Sequence, residues 1–361
     1  MAFVSAKDIA TKWGISQRRV ATLCSENRIE GATFVANAWI IPENALKPLD
    51  ARKKDNPKNI LDAKPFLKWA GGKGQLLKEI SAYYPFEKDK TITKYAEPFV
   101  GGGAVLFDVL NKFSPDEVYI SDINKDLIDT YIAIRDNVDG LIEELESVEK
   151  TYLSFDKVQR ADGYRQKRDR FNALKHGYEP DSPFEKAALL IFLNRTCFNG
   201  LYRVNKKGDF NVPVGSYKNP QICNKENLLA VSKKLKNVKI VCGDYKESAD
   251  FIDDKTFVYF DPPYRPLTPT ANFTSYTEEL FDDKNQLELA RFVQELDNKG
   301  AKIVVSNSDP KNTNKDDDFF DKAYSKQNIK RVSATRMINR NSDARGKISE
   351  LLISNLITRK E

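Results

Sequence analysis

The rhythm of apolar and polar positions changes along this chain of 361 residues. Residues 1–48 begin with a helical period. Ser5-Ala6-Lys7-Asp8-Ile9-Ala10-Thr11-Lys12-Trp13 reads as a first helix, with Ser5 as N-cap and Asp8 three residues on. Gly14-Ile15-Ser16 is a tight turn, and Gln17 to Glu26 is a second helix that starts after Ser16 and carries Arg18 and Arg19 near its start. Ile29-Glu30-Gly31-Ala32 and Ala38-Trp39-Ile40-Ile41-Pro42 then predict a small two-stranded wing. Residues 49–63 are polar and charged with no apolar period, which predicts a linker. From Lys64 onward short apolar runs alternate with helical patterns such as Leu287 to Leu296. The runs Tyr95 to Phe99, Glu117 to Ser121, Val238 to Val241, Thr256 to Phe260 and Lys302 to Ser306 predict strands. This alternation predicts an α/β sandwich with a mostly parallel sheet. The stretch from about 126 to 220 breaks it: it is helix-rich, full of Lys and Arg, and reads as an inserted subdomain.

Composition narrows the picture. The length suits one large domain and a small one. A net charge of +6 permits a polyanionic partner without demanding one. Cys24, Cys197, Cys223 and Cys242 have no CxxC spacing, and His176 is the only histidine, so the sequence predicts no metal site and no histidine-based acid–base triad. Scattered cysteines suggest a reducing compartment. No apolar run reaches the ~18 residues of a membrane span.

The chemistry concentrates in two places. Phe99-Val100-Gly101-Gly102-Gly103-Ala104 follows a strand and opens a helix. Glycines there let backbone approach a ligand, and the helix N-terminus favours its polar groups. Asp122 ends the next strand, where an acid binds a ribose diol in dinucleotide-type sites; a helix N-cap is the structural alternative. Neither GxGxxG nor GK[ST] is present, and Gly71-Gly72-Lys73 lacks Walker spacing. The second place is Asp261-Pro262-Pro263-Tyr264, after the apolar run Thr256 to Phe260. Proline fixes φ and removes donors, so the predicted platform offers a carboxylate and the Pro262 carbonyl to one exocyclic amino group. Tyr264 adds a flat face for a base. That suits methylation of a nucleobase amino nitrogen.

Taken in order, Pro65 to Lys73, Glu97 to Gly103 and Asp261 to Tyr264 resemble the Dam-type adenine-N6 DNA methyltransferases, over about residues 64 to 357. The Asp261 motif continues through Pro266 to Tyr276 as in those enzymes, and Asn194 to Pro213 is similar to their DNA-contacting hairpin. The resemblance implies a Rossmann-like methyltransferase sheet with an inserted helical target-recognition subdomain. It implies S-adenosylmethionine as cofactor, held by Trp69, Lys73, Phe99, Gly101, Gly103, Asp122, Asp244 and Asp261. The implied catalytic residues are Asp261, Pro262 and Tyr264, acting on a flipped-out adenine in duplex DNA. Arg203, Asn205, Lys206, Lys207, Pro213 and Tyr217 are the expected DNA contacts, on a two-stranded ribbon suited to the major groove. The relative compared has an Arg that reads a guanine near position 207; Lys207 lacks its bidentate fork. The expected target is GATC or a related short palindrome. Cys197 reads as core rather than nucleophile.

Residues 1–48 resemble the winged helix-turn-helix modules of excisionase and MerR-type proteins, which adds Arg18 and Arg19 to the expected DNA contacts. The expected setting is the cytoplasm, for a bacterial or phage-encoded protein associated with the nucleoid through DNA, with no membrane partner. An orphan enzyme and one with a cognate restriction endonuclease on the same site both stay open, and no stable complex is implied. Two alternatives stay open: an RNA or protein amide methyltransferase, whose glutamine-modifying members carry Asn in place of Asp261, and a DNA-binding regulator with an inactive methyltransferase fold.

Overall fold

In the computed structural model the described residues are 3–356, apart from 27, 36–37, 44, 46, 49–61, 70, 88, 179–182, 266–280 and 336–346. The continuation Pro266 to Tyr276 therefore lies outside the described residues, as does most of the predicted linker. The chain divides into two compact units, residues 1–60 and 61–361.

The first unit holds β1 (Phe3–Ser5), α1 (Ala6–Trp13), α2 (Gln17–Ser25), β2 (Thr33–Val35) and β3 (Ala38–Pro42). Ser5 caps α1 in a capping box with Asp8, Gly14 ends it at φ +63°, and the Ser16 side chain accepts from the Arg19 N–H at the start of α2. Ile9, Ala10, Val20, Leu23 and Ile41 share a small apolar core. The wing differs from the sequence reading. Ile29 to Ala32 is a turn, closed by the Ala32 N–H on the Ile29 carbonyl at 3.2 Å, with Gly31 at φ +78°. The strand starts at Thr33, and β1 joins as a third member in the antiparallel order β1-β3-β2.

The second unit is built on a seven-stranded sheet. Its elements are α3 (Leu77–Ser81), β4 (Lys94–Glu97), α4 (Ala104–Lys112), β5 (Glu117–Asp122), α5 (Lys125–Asp136), α6 (Val138–Ser154), α7 (Lys157–Lys175), α8 (Pro183–Thr196), α9 (Lys225–Leu235), β6 (Val238–Cys242), β7 (Thr256–Phe260), α10 (Asp283–Asn298), β8 (Lys302–Ser308), α11 (Phe319–Ala323), β9 (Asn328–Thr335) and β10 (Lys347–Ser354). The order is β6-β5-β4-β7-β8-β10-β9; the first five run parallel, and β10 and β9 add antiparallel. Alternate residues go to opposite faces. Tyr95, Ile120, Phe257, Tyr259 and Val304 join one core, and Ala96, Tyr119, Val258, Phe260 and Val305 join the other. Burial on both faces is why these strands read as continuous apolar runs. Among the described residues no helix is long and apolar enough to cross a membrane.

Three further expectations change. Ala63, assigned to the linker, is 2% exposed, and the Asn111 side chain bonds both its N–H and its carbonyl. Residues 126–220 have no separate core: Leu145, Tyr164, Phe192 and Phe210 belong to the same apolar cluster as the sheet residues Ile120 and Tyr259. The ribbon around residues 201–220 reduces to isolated bridges, Val204 with Phe210 and Cys197 with Val214. Its tip closes on itself instead, because the Asn205 side chain accepts from the N–H groups of Lys207 and Asp209. Such side-chain turns compete with a strand ladder.

Candidate active site

Asp261 leaves the C-terminal end of β7, the edge at which open α/β sheets bind ligands. Its carboxylate is fixed from two sides. Lys73 Nζ, on a side chain 5% exposed, lies 2.6 Å from Oδ1 and 2.7 Å from Oδ2. Ser306 Oγ, at the far end of neighbouring β8, donates to Oδ1 at 2.8 Å. Lys73 also donates to the Gly71 carbonyl at 2.7 Å and lies 4.6 Å over the Tyr264 ring. The Tyr264 hydroxyl donates to Glu350 Oε2 at 2.5 Å. Burial, with Asp261 and Glu350 nearby, pushes the Tyr264 hydroxyl well up, so it stays protonated and donates. Glu97, behind this pair on β4, is buried with the Tyr95 hydroxyl at 2.6 Å, and burial pushes its carboxyl well up.

The glycine loop lies beside this pair. Gly101 and Gly103 take φ +47° and +72°, which side-chain-bearing residues rarely adopt. A Cβ on Gly101 would meet the Trp69 indole at 3.0 Å, and one on Gly103 would meet the Tyr131 hydroxyl at 2.5 Å. The Gly101 N–H donates to Asp122 Oδ2 at 3.0 Å, and the Asn124 N–H donates to Oδ1 at 2.9 Å. Burial pushes the Asp122 carboxyl up, opposed by these N–H groups and that of Ile123. These backbone donors aim the carboxylate, and with about four lone-pair sites it can still accept from a diol. Phe99 stacks on Tyr245 with centroids 5.2 Å apart and meets Phe260 edge-on at 6.4 Å. Trp69 stacks on Tyr202 at 5.4 Å, and Asp126 and Lys175 both bond the Tyr202 hydroxyl. An aimed carboxylate, aromatic faces and a side-chain-free loop together fit the nucleoside part of S-adenosylmethionine.

One segment therefore touches both halves, through Trp69 on the glycine loop and Lys73 on Asp261. Asp244 is exposed and caps the turn Tyr245–Asp250, with its side chain accepting from the Lys246 N–H. In the hairpin Lys206 and Lys207 are exposed at the tip. Arg203 bonds Asn211 Oδ1 at 2.7 Å, the Asn205 amide bonds Asp209, and the Pro213 carbonyl accepts from the Phe198 N–H. Tyr217 receives Lys68 Nζ over its ring at 4.5 Å. Arg18 and Arg19 sit on the first turn of α2 in the other unit, Arg18 exposed.

Ser306 and Glu350 were not among the site residues that the sequence pointed to, and Phe198 and Asn199 fell within the Asn194–Pro213 stretch without being singled out as contacts. Phe198 is 53% exposed, and Asn199 at φ +56° is the one described residue other than glycine with positive φ. The Asn-Gly pair at 199–200 was the available signal for a strained turn. Cys197 is buried, its thiol donates to the Leu201 carbonyl at 3.3 Å, and burial pushes it up to about 11.

Comparison with known proteins fits this geometry. Residues 69–338 match the family model of D12 class N6 adenine-specific DNA methyltransferases. The chain is 52% identical over 297 residues to the type II methyltransferase M.MjaIII of Methanocaldococcus jannaschii, covering 82% of this chain and 100% of that one. It is 37% identical over 302 residues to the DNA adenine methylase of Haemophilus influenzae (83% and 96% covered). It is 35% identical over 287 residues to that of Escherichia coli (80% and 93% covered). Family membership implies use of S-adenosylmethionine. With its matched segment spanning the Trp69, Asp122 and Asp261 positions, the chain belongs to the D12 class of N6 adenine-specific DNA methyltransferases.

Proposed function

We propose that this chain methylates N6 of an adenine flipped out of a short duplex site, GATC or a related palindrome, by direct displacement. The observation that carries the reading is the Asp261 carboxylate, held at the C-terminal edge of β7 by Lys73 and Ser306 and next to the Tyr264 ring. When bound, S-adenosylmethionine supplies an electrophilic methyl on a sulfonium. Trp69, Phe99, Gly101, Gly103 and Asp122 would hold it, with Asp122 accepting from the ribose diol; Asp244 would add a contact to its adenine. Asp261 and the Pro262 carbonyl accept from the N6 amino group, which draws its lone pair out of the ring and aims it. For this Lys73 releases one Asp261 oxygen and keeps the other. The base stacks on Tyr264, whose ring is braced by Glu350. Asp261 takes the surplus N6 proton after transfer.

Arg203, Asn205, Lys206, Lys207, Pro213 and Tyr217 face the duplex, and Phe198 offers an exposed ring to fill the gap left by the flipped base. Residues 1–48 act as a winged helix-turn-helix that adds DNA contacts through Arg18 and Arg19, joined by a linker to the catalytic domain, whose recognition insert covers about 126–220. The enzyme works in the cytoplasm and protects its site from an endonuclease that it does not stably bind. Tritium transfer from labelled S-adenosylmethionine to duplex DNA, with modified-base sequencing, tests the reading. Label at N6 of adenine in one short motif is expected. Label on RNA or protein alone, or no transfer, overturns it.

A further inference from the structure

The segment Asp261-Pro262-Pro263-Tyr264 has a structural problem of its own. Two consecutive prolines remove the backbone donors that normally tie a loop to its neighbours. A carboxylate that must be placed to a fraction of an ångström is thus carried by a backbone short of anchors. The remaining anchors have to come from its carbonyls, its side chains and groups supplied by other elements.

Those groups come from one place. Ser306, Asn307 and Ser308 end β8, and each bonds the segment or its flank. Ser306 Oγ donates to Asp261 Oδ1 at 2.8 Å and accepts from the Tyr259 hydroxyl at 3.0 Å. This fixes the direction of the chain: Tyr259 donates to Ser306, and Ser306 donates to the carboxylate. Asn307 Oδ1 accepts from the Arg265 N–H at 3.3 Å, and Ser308 Oγ donates to the Arg265 carbonyl at 2.9 Å. Gln286 of α10 donates to the Pro263 carbonyl at 2.9 Å, and its Oε1 accepts from Asn307 Nδ2 at 3.0 Å. Ser306, Asn307 and Gln286 are each 0% exposed. Buried polar side chains cost free energy unless paired, and apolar residues would fill a core more cheaply. Here three adjacent positions and one facing helix direct that polarity onto the same five residues.

We infer that Ser306, Asn307 and Gln286 are positioning residues for methyl transfer, Ser306 setting the orientation of the Asp261 carboxylate and the Gln286–Asn307 amide pair setting the backbone that carries it. The inference rests on the role of Asp261 given above. None of the three touches the reacting atoms. Ser306 takes one lone pair of Oδ1, which limits the directions from which an amino group can be accepted. The amide pair holds the main chain on both sides of Tyr264, so the acceptor carboxylate and the stacking ring keep one spacing.

The test uses the full-length enzyme with S-adenosylmethionine and a duplex carrying its methylation site. Three quantities are measured: kcat, KM for each substrate, and Tm. Ser306→Ala is expected to lower kcat by roughly ten- to a hundredfold, the range for a misaimed reacting group. Both KM values should stay within about twofold of wild type, and Ser306→Thr, which keeps a hydroxyl, should recover most of the loss. Gln286→Met with Asn307→Leu keeps the volume and removes both amides, and kcat is again expected to fall with Tm largely kept. Turnover within about twofold of wild type in both variants overturns the inference. So does a loss of turnover that tracks Tm and is not recovered by Thr, because the groups then act only as structure. Asp261→Ala separates the two claims: if it stays active the proposed mechanism fails, whereas if it is dead and Ser306→Ala is fully active only this inference fails.

Discussion

At the residue scale the Lys73–Asp261 pair decides most. With Lys73 5% exposed, removing Asp261 leaves a buried cation with only the Gly71 carbonyl and the Tyr264 ring as partners, and breaking a buried ion pair typically costs about 3–5 kcal/mol. Asp261→Ala is therefore expected to lose turnover by ~10²-fold or more and also to lower Tm. Asp261→Ala with Lys73→Met should recover Tm but not turnover. Recovery of both would remove Asp261 from the chemistry. Asp122→Ala should weaken S-adenosylmethionine by about 1.5–3 kcal/mol, the range for hydrogen bonds to a charged acceptor, with DNA affinity little changed. Calorimetric titration that finds unchanged donor affinity would refute the ribose role. Cys197, with its thiol pushed up to about 11, should stay unmodified by iodoacetamide at pH 7 in the folded enzyme. Mass spectrometry finding it alkylated before unfolding would contradict that.

At the scale of elements, the hairpin shows where pattern reading succeeds and where it stops. Asn205 to Asp209 was legible as a turn with cations at its tip, because Asn, Gly and Asp carry turn chemistry in the side chain. The flanking arms form no continuous strands: they meet only at antiparallel bridges and a few backbone bonds, such as the Asn211 N–H on the Arg203 carbonyl at 3.1 Å, while Tyr202, Phe210 and Val212 bury their side chains in the main core. Lys207→Ala should shift or relax the choice of site if it meets a base edge, worth ~1–3 kcal/mol per base pair. The modified-site profile is the measurement; an even loss across all sites would make Lys207 a phosphate contact. The wing misled in a similar way. Ile29 is apolar because it faces the small core, not because it begins a strand.

At the scale of the whole molecule the boundary between the two units is testable. The Asn111 and Asn227 side chains each bond both the N–H and the carbonyl of one residue, Ala63 and Lys64 respectively. Deleting residues 1–60 keeps these clamps and is expected to leave an active enzyme. Deleting 1–64 removes both and should lower Tm by several degrees. In the shorter deletion the dependence of log affinity on log salt should flatten by ~0.9 for each phosphate that the first unit no longer neutralises. An identical salt slope would show that the first unit does not touch DNA.

By itself the sequence determined the strand–helix alternation, the glycine loop, Asp122 and the Asp261 motif. Each is a local property: a period, a turn, or a spacing within one βα unit. Tertiary structure alone decided that Lys73 and Asp261, 188 positions apart, form an ion pair, and that Ser306 and Glu350 brace Asp261 and Tyr264. It also decided the edge strands: β9 and β10 pair antiparallel beyond β8, and Glu350 rides on one of them. The reason is the same throughout. A hydrogen bond between distant residues leaves no period in either segment, and a single Ser or Glu has the same signature in a solvated loop as in a catalytic site. Only when the sheet aligns the C-terminal ends of β7 and β8, with β10 beside them, do those residues acquire a shared geometry.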